Sequence, residues 1–218
     1  MSDQRQNFYT AVHKGIRRQL SQMLTLAGAV DFADPRQRQL YCDRFDQLAR
    51  MLESHAHHED RHISPLIEQA APELARRIHA THHVLEDTLE EMMGFLALML
   101  KEPERARVLG YNFYLALARY VATQFDHMHE EESSVMGALW NAFDDATLDG
   151  CHKAILADIA PAEMGVWLSW MIPCLTPFEQ QGMLDEMRLG APPQVVAFVE
   201  QLAAQSQAPR WNFNKYVV

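Results

Sequence analysis

Hydrophobic residues recur about every three to four positions along most of the chain. One such series is Tyr9, Val12, Ile16, Leu20 and Met23. Its members share one face of an α-helix, because about 3.6 residues complete a helical turn. No run of alternating β-branched and polar residues bounded by turn residues indicates a β-strand. The pattern therefore predicts an all-α protein.

Prolines and helix-capping residues divide this pattern into four long helices and a shorter region. Asp34 before Pro35 is a favourable pair for an N-cap and a first turn, and Pro72 and Pro103 each begin a further helix. The four predicted helices cover residues 7–27, 35–69, 72–101 and 103–143. Because the connections between them are short, we expect antiparallel neighbours in an up-down-up-down four-helix bundle.

The pattern changes after "DDATLDG", where proline and tryptophan become more frequent. Within this region, Thr176 and Glu179 have the spacing of a capping box, and Gly190 follows as a helix end. The sequence therefore predicts shorter helices at 161–173, 176–190 and 192–205.

The chain is accordingly expected to form two parts. A four-helix bundle takes residues 1–149, and an appended C-terminal region of short helices takes 150–218 and packs on the bundle. The last segment, "APRWNFNKYVV" at 208–218, is expected to lie against the surface or to be loose.

The composition excludes several classes of partner. The chain of 218 residues carries a formal net charge of −10, which repels nucleic acid and anionic lipid surfaces. Its apolar runs are much shorter than the roughly 20 residues of a membrane-spanning helix, and residues 1–8 lack the features of a signal peptide. Three widely spaced cysteines do not indicate a disulfide framework. We expect a cytoplasmic protein that binds neither nucleic acid nor membranes.

The second and fourth predicted helices contain the same motif. They align with an offset of 72 positions, which places His55 on His127 and Glu59 on Glu131. Both HxxxE pairs continue the apolar face of their helix, so their side chains are expected to point inward. Burying an ionised carboxylate without a partner lowers the stability of the fold by several kcal/mol. This is on the order of the loss caused by removing one partner of a buried ion pair. Two such pairs in one core therefore indicate bound cations.

A competing metal motif overlaps the first HxxxE pair. His58, Glu59 and His62 match the HExxH of zinc peptidases, in which two histidines bind zinc and the glutamate acts as general base. Such a helix packs against a sheet, which this sequence does not predict. The 72-residue repeat also does not preserve this motif, because Glu130 and Ser134 occupy the matching positions. A zinc peptidase is the less favoured hypothesis.

The other two long helices each offer a histidine on the inward face. His13 lies on the apolar face of the first helix. In the third helix, His82 lies on the same apolar face as Ile78 and Leu85. His83 lies on a neighbouring, more polar face and would point inward only if that face were turned to the core. A carboxylate di-iron site of the ferritin type would need a glutamate from the first helix, and no glutamate precedes Glu53.

The segments "HKGIR", "HHEDRHISPLI" and "HMHEEESSVM" resemble the hemerythrin-like HHE cation-binding domain over about residues 7–143. The resemblance implies a centre of two iron ions in a four-helix bundle, with an open coordination position for a small ligand. Another divalent metal would suit similar donors. Carried over by position, the implied metal ligands are His13, His55, Glu59, His82, His127 and Glu131.

The sequence departs from oxygen-carrying hemerythrins, which have an additional histidine in the third helix. Ile78 stands at that position, so a water or one of His58, His62 and His129 would complete the coordination. We therefore expect a protein that binds dioxygen, nitric oxide or oxidants for sensing, redox or iron handling, rather than an oxygen carrier. The alternative is a di-iron enzyme, either an oxidase or one that consumes peroxide or nitric oxide. The oligomeric state stays open.

Overall fold

The computed structural model describes residues 5–206, which form helices and contain no strand. The predicted all-α class is thereby confirmed, while the up-down-up-down order stays a prediction. The α-helices are α1 (Thr10–Ala27), α2 (Pro35–His58), α3 (Ser64–Ala70), α4 (Pro72–Lys101), α5 (Ala106–Glu130), α6 (Met136–Ala142), α7 (Asp145–Asp158), α8 (Pro161–Met171), α9 (Pro177–Gly190) and α10 (Pro193–Gln205). Short 3₁₀ turns occupy Pro103–Arg105 and Ile172–Cys174.

Two π-helical segments interrupt the long helices that the sequence predicts as continuous. The first covers Glu59–Ile63 between α2 and α3, and the second covers Glu131–Val135 between α5 and α6. A π turn closes hydrogen bonds between residues five apart, so it holds one residue more than an α turn. Each segment begins at the glutamate of an HxxxE pair, and the two are offset by the same 72 positions as the motif.

The first helix begins three residues later than predicted. The reason is local, because the side-chain oxygen of Asn7 accepts hydrogen bonds from the backbone N–H groups of Tyr9 and Thr10, at 3.0 and 2.9 Å. An Asn that satisfies these groups holds a turn ahead of the helix.

The sequence pattern does not predict helix α7, which runs through residue 149, where the end of the bundle is expected. Asp144 caps this helix by accepting from the backbone N–H of Thr147 at 2.9 Å. Only Leu148 of α7 is buried, so the segment lacks the apolar stripe by which helices are found in a sequence. The division into domains at 149 and 150 stays a prediction.

The chain separates into two compact units. The first comprises residues 1–10 and 19–159, as far as they are described, and the second comprises 11–18 and 160–218. In the first unit, α4 packs against α2, α3 and α5. One of its hydrophobic cores includes Tyr9, Ile63 and Val135. A second, aromatic core holds Phe32, Tyr41, Phe45 and Phe113, with ring centroids 5.1–6.4 Å apart.

The second unit contains the predicted short helices. Its core is formed by Leu168, Ile172, Leu175, Leu184 and Val199. The predicted capping box of Thr176 and Glu179 is present at the start of α9. The segment 208–218 lies outside the described residues.

Within the described residues, no single helix is both long and apolar enough to cross a bilayer, although Asp145–Asp158 and Pro161–Cys174 would meet that test if taken together.

Gly110 tests the packing of the aromatic core. A Cβ atom at this position would lie 2.3 Å from Cδ2 and 3.0 Å from Cβ of Phe32. We therefore expect Gly110→Ala to lower the free energy of unfolding by about 1–3 kcal/mol, the usual cost of overpacking. The matched control is Gly94→Ala in α4, where nothing lies within 4 Å of the added carbon. The control should raise stability by about 0.5–1 kcal/mol. Urea unfolding of both variants measures this difference, and a stabilised Gly110→Ala protein would contradict the described packing.

Candidate metal centre

Two buried histidine–glutamate pairs face each other in the first unit. His55 Nε2 lies 3.1 Å from Glu59 Oε1, and His127 Nε2 lies 3.2 Å from Glu131 Oε1. All four side chains are at least nine-tenths buried. In each pair the histidine belongs to the last turn of an α-helix and the glutamate begins the following π segment. The repeat seen in the sequence is therefore also a repeat in structure.

His82 of α4 lies between the two carboxylates. Its Nε2 atom is 3.6 Å from Glu59 Oε2 and 3.8 Å from Glu131 Oε1, too far for a hydrogen bond to either. Its ring packs edge-to-face on His127, with centroids 4.7 Å apart. One ligand atom from each of Glu59, His82, His127 and Glu131 lies within 4.8 Å of the others. This spacing suits shared coordination of a metal ion.

Asp60 orients His82 through a hydrogen bond at Nδ1, the ring nitrogen that does not face the carboxylates. The sequence did not indicate this role. Its Oδ1 atom accepts a hydrogen bond of 2.9 Å from His82 Nδ1, which fixes the tautomer that leaves Nε2 free to bind a metal. In the sequence, Asp60 looks like an ordinary solvated acidic residue next to the ligand candidate Glu59, and in the structure its side chain is half-exposed. Its partner is 22 residues away on another helix, so spacing within one helix could not reveal it.

The charges around His82 also set its proton affinity. Burial lowers the pKa of His82, but the hydrogen bond to Asp60 and the carboxylates of Glu131 and Glu59 outweigh it and raise the pKa to about 10. Burial likewise raises the pKa of Asp60, and the His82 hydrogen bond outweighs it, so the net shift is downward. Burial, followed by the charges of Glu131 and Glu59, raises the pKa of Tyr9 well above its ordinary value. Negative charge therefore dominates this core when no metal balances it.

The remaining histidines are placed differently. His13 on α1 is fully buried, whereas the side chain of His83 is 79% exposed. His129 is exposed as well. His62 pairs with Asp158 at 3.1 Å, and the ring of His58 stacks on that of His62.

The HExxH hypothesis requires the Glu59 carboxylate to lie beside a zinc ion bound by His58 and His62. It lies against His55 instead. Among residues 5–206 there is also no sheet for such a helix to pack on. The geometry therefore favours HxxxE over HExxH.

A small cavity adjoins the cluster and has a volume of about 30 Å³. Its walls include the ligand candidates His55, Glu59, His82 and His127, and the apolar side chains of Leu52, Leu85 and Leu89. Gln124 and Tyr120 of α5 also line it, since they lie one and two helical turns before His127 on the same face. The cavity gives a small molecule room beside the candidate ligands.

The donor set fits bound metal cations. Two buried carboxylates with one buried imidazolium leave uncompensated negative charge, which a protein core tolerates poorly. Among the described residues, His82 Nε2 and His127 Nδ1 are buried without a hydrogen-bond partner, and imidazole nitrogens of this kind bind iron, zinc or copper. Carboxylate oxygens additionally bridge metals in helical bundles. The residues present thus fit divalent or trivalent transition-metal ions.

The raised pKa of His82 predicts how the stability of the metal-free protein depends on pH. The unfolded chain releases this proton near pH 6.5 and the folded protein only near pH 10, so the free energy of unfolding should fall as pH rises through that window. Asp60→Asn removes the charge that supports the imidazolium and should flatten the fall, whereas Asp87→Asn on the exposed face of α4 should not. Urea unfolding at pH 7 and 9 measures the difference. Equal slopes in the wild type and Asp60→Asn would refute the assigned contact.

Comparison with known families agrees with this geometry. The family profile described as the hemerythrin HHE cation binding domain matches residues 6–139. Searches of curated proteins and of solved structures found no significant match. The match covers more than half of the chain and contains both HxxxE pairs, both π segments and His82. The chain therefore belongs to the hemerythrin HHE cation-binding domain family.

Proposed function

We propose that this protein holds a pair of iron ions and binds dioxygen, nitric oxide or another small oxidant for sensing, redox or iron handling. The observation that carries the proposal is the repeated arrangement of His55 with Glu59 and His127 with Glu131, at 3.1 and 3.2 Å, around His82. A single structural zinc ion would need only four such donors. A repeated, carboxylate-containing set instead suits two metal ions.

The proposed ligands are the six that the sequence indicates. Five of them, His55, Glu59, His82, His127 and Glu131, lie in the first unit and are buried. His13 is proposed as the sixth because it occupies the inward phase of α1, is fully buried and matches the first histidine of the family motif. Water or a small exogenous ligand is proposed for the remaining coordination.

The protein's own residues prepare this site in three ways. Glu59 and Glu131 supply the negative charge that favours metal ions over protons. Asp60 holds His82 Nδ1 at 2.9 Å and so aims Nε2 at the cluster. Leu52, Leu85 and Leu89 keep the cavity beside the cluster apolar. An iron pair would supply reversible redox chemistry and an open position for a small ligand at this point.

The size of the cavity favours a small molecule as the bound species over an organic substrate. Its volume of about 30 Å³ has room for a molecule of two or three non-hydrogen atoms, by comparison with the roughly 10–15 Å³ that one water needs. An oxidase that acts on an organic substrate would need a larger pocket. An enzyme that consumes peroxide or nitric oxide stays the alternative, and multiple turnovers by the isolated protein would favour it.

Metal content tests the ligand assignment directly. Protein purified in air should contain a pair of iron ions per chain and show the near-ultraviolet charge-transfer absorption of a coupled ferric pair. His55→Ala and Glu131→Ala should each retain about half of the iron or less, because a ligand and its charge are lost.

Exposed neighbours provide the controls for this experiment. His83→Ala and Glu90→Gln, both on the outer side of α4, should keep the wild-type iron content and spectrum. A single zinc ion per chain in the wild type, or unchanged iron in both ligand variants, would overturn the proposal.

A further inference from the structure

The outward side of α5 is apolar where the surface of a helix is usually charged. The segment "VLGYNFYLALA" at 108–118 carries no charged side chain. Three of its larger residues are nonetheless exposed, with Val108, Tyr111 and Leu115 exposing 65%, 62% and 49% of their surface. A helix that is apolar all round is usually buried all round, and contiguous exposed apolar patches mark interaction sites. The outward side of α5 is therefore expected to have a partner.

The exposed apolar residues lie on one stripe with a heptad spacing. They alternate steps of three and four residues along α5, and all are exposed or partly exposed. The six residues that form this α5 seam are Val108, Tyr111, Leu115, Ala118, Ala122 and Phe125. The buried residues of α5, which include Phe113 and Leu117, lie on the opposite side of the helix. Steps that average about 3.5 residues form the repeat by which two helices pack along each other. The seam thus fits a second helix.

A second copy of α5 that runs antiparallel fits this seam in size. If the pair is centred between residues 116 and 117, the facing residues are Val108 with Phe125, Tyr111 with Ala122, and Leu115 with Ala118. Each pair joins a larger side chain to a smaller one, so the side chains interdigitate and fill the contact. A parallel pair would place alanine on alanine at positions 118 and 122 and leave space unfilled. Size therefore favours the antiparallel arrangement.

Charged residues beside the seam favour the same arrangement. One flank carries, at intervals of seven residues, Arg105, Asn112, Arg119 and Asp126, and all four are exposed. In the antiparallel pair, Arg105 faces Asp126 of the second copy, because residues on the same flank meet. Arg105 also pairs with Glu102 of its own chain, and a guanidinium has donors for both acids. Sliding the pair by one heptad in either direction would set Arg119 against an arginine, which is repulsive.

We propose that the α5 seam is a homodimer interface and packs antiparallel against the seam of a second copy of this chain. A two-fold axis between residues 116 and 117 makes the two halves of the contact identical, which is the commonest symmetry of soluble dimers. The contact extends over about 27 Å, at 1.5 Å per helical residue from 108 to 125. A single pair of helices of this length lies toward the low end of the roughly 1,200–2,000 Å² that specific interfaces bury. The dissociation constant is therefore expected to be on the order of micromolar.

Sedimentation velocity of the full chain, at about 1–200 μM protein, tests for the dimer. The wild type should pass from monomer to dimer over this range. Leu115→Glu places two carboxylates in the middle of the contact and should raise the dissociation constant at least about 100-fold. The matched control is Leu40→Glu on α2, which changes a leucine that is 62% exposed outside the seam and should dimerise as the wild type does.

Urea unfolding at a concentration where the wild type is monomeric separates a lost contact from a lost fold. Position 115 is half-exposed, so Leu115→Glu should unfold at about the wild-type urea concentration there. A wild type that stays monomeric at every concentration would mean that the seam serves a different partner, and would overturn the proposal. A dimer that Leu115→Glu leaves intact would overturn it as well, because the contact would then lie elsewhere.

A charge exchange tests the direction and register of the pair. Arg105→Glu and Asp126→Arg each bring like charges together on the flank, and each alone should raise the dissociation constant about three- to tenfold at low salt. The two changes combined restore opposite charges and should return the dissociation constant to within about twofold of the wild type. A parallel pair does not bring positions 105 and 126 together. A combined variant that stays as weak as the single variants would overturn the antiparallel arrangement.

Iron content separates this proposal from the proposed function. Asp126 precedes the candidate ligand His127, so the dissociation constants are measured with the protein as purified and again after metal removal. The seam lies on the side of α5 opposite His127, so the same order of affinities is expected in both forms. A wild type that dimerises through the seam but holds no iron would contradict the proposed function alone. An iron-loaded wild type that stays monomeric would contradict the dimer alone.

Discussion

The burial of two carboxylates in a helical core is the constraint on which the rest of this structure depends. Glu59 and Glu131 are 5% and 1% exposed, and ionised carboxylates at such depth cost several kcal/mol each, on the order of the usual burial penalty, unless they are balanced. The protein supplies one imidazolium, His82, and places His55 Nε2 3.1 Å from Glu59 and His127 Nε2 3.2 Å from Glu131. This balance is incomplete without cations. Metal binding would thus complete the fold as well as provide its chemistry.

The π segments explain how an ordinary helix presents these acids. Each segment begins at the glutamate of an HxxxE pair, at Glu59–Ile63 and Glu131–Val135, and holds one residue more per turn than an α-helix. Ile63 and Val135, the last residues of the two segments, belong to the apolar core, while Glu59 and Glu131, the first residues, belong to the cluster. π turns are rare and concentrate at functional sites. Their occurrence at matching places 72 residues apart indicates that both halves of the repeat serve the same purpose.

Periodicity in the sequence predicts the helical class, which the structure confirms, and the 72-residue repeat favours HxxxE over HExxH. The inward phase of Ile78, Leu85 and Leu89 also pointed to His82, which the structure buries, over His83, which it exposes. These inferences work because burial follows helix phase directly.

Other features could not be read from the sequence, for identifiable reasons. A π turn has no residue signature, because tertiary packing decides whether one residue is inserted. Helix α7 buries only Leu148 and so leaves no apolar stripe. Asp60 acts on a different helix, across 22 residues, and pairs of that kind are set by packing rather than by spacing.

The stability of Glu131→Gln with and without metal tests the central claim most directly. If buried negative charge is what the metal balances, removing one charge should leave the metal-free protein as stable as the wild type or more stable, and should make the iron-loaded protein less stable. The two thermal shifts would then have opposite signs. A variant that is destabilised to the same extent in both forms would show that Glu131 supports the fold through contacts unrelated to a cation, and would contradict the claim that metal ions balance the buried charge.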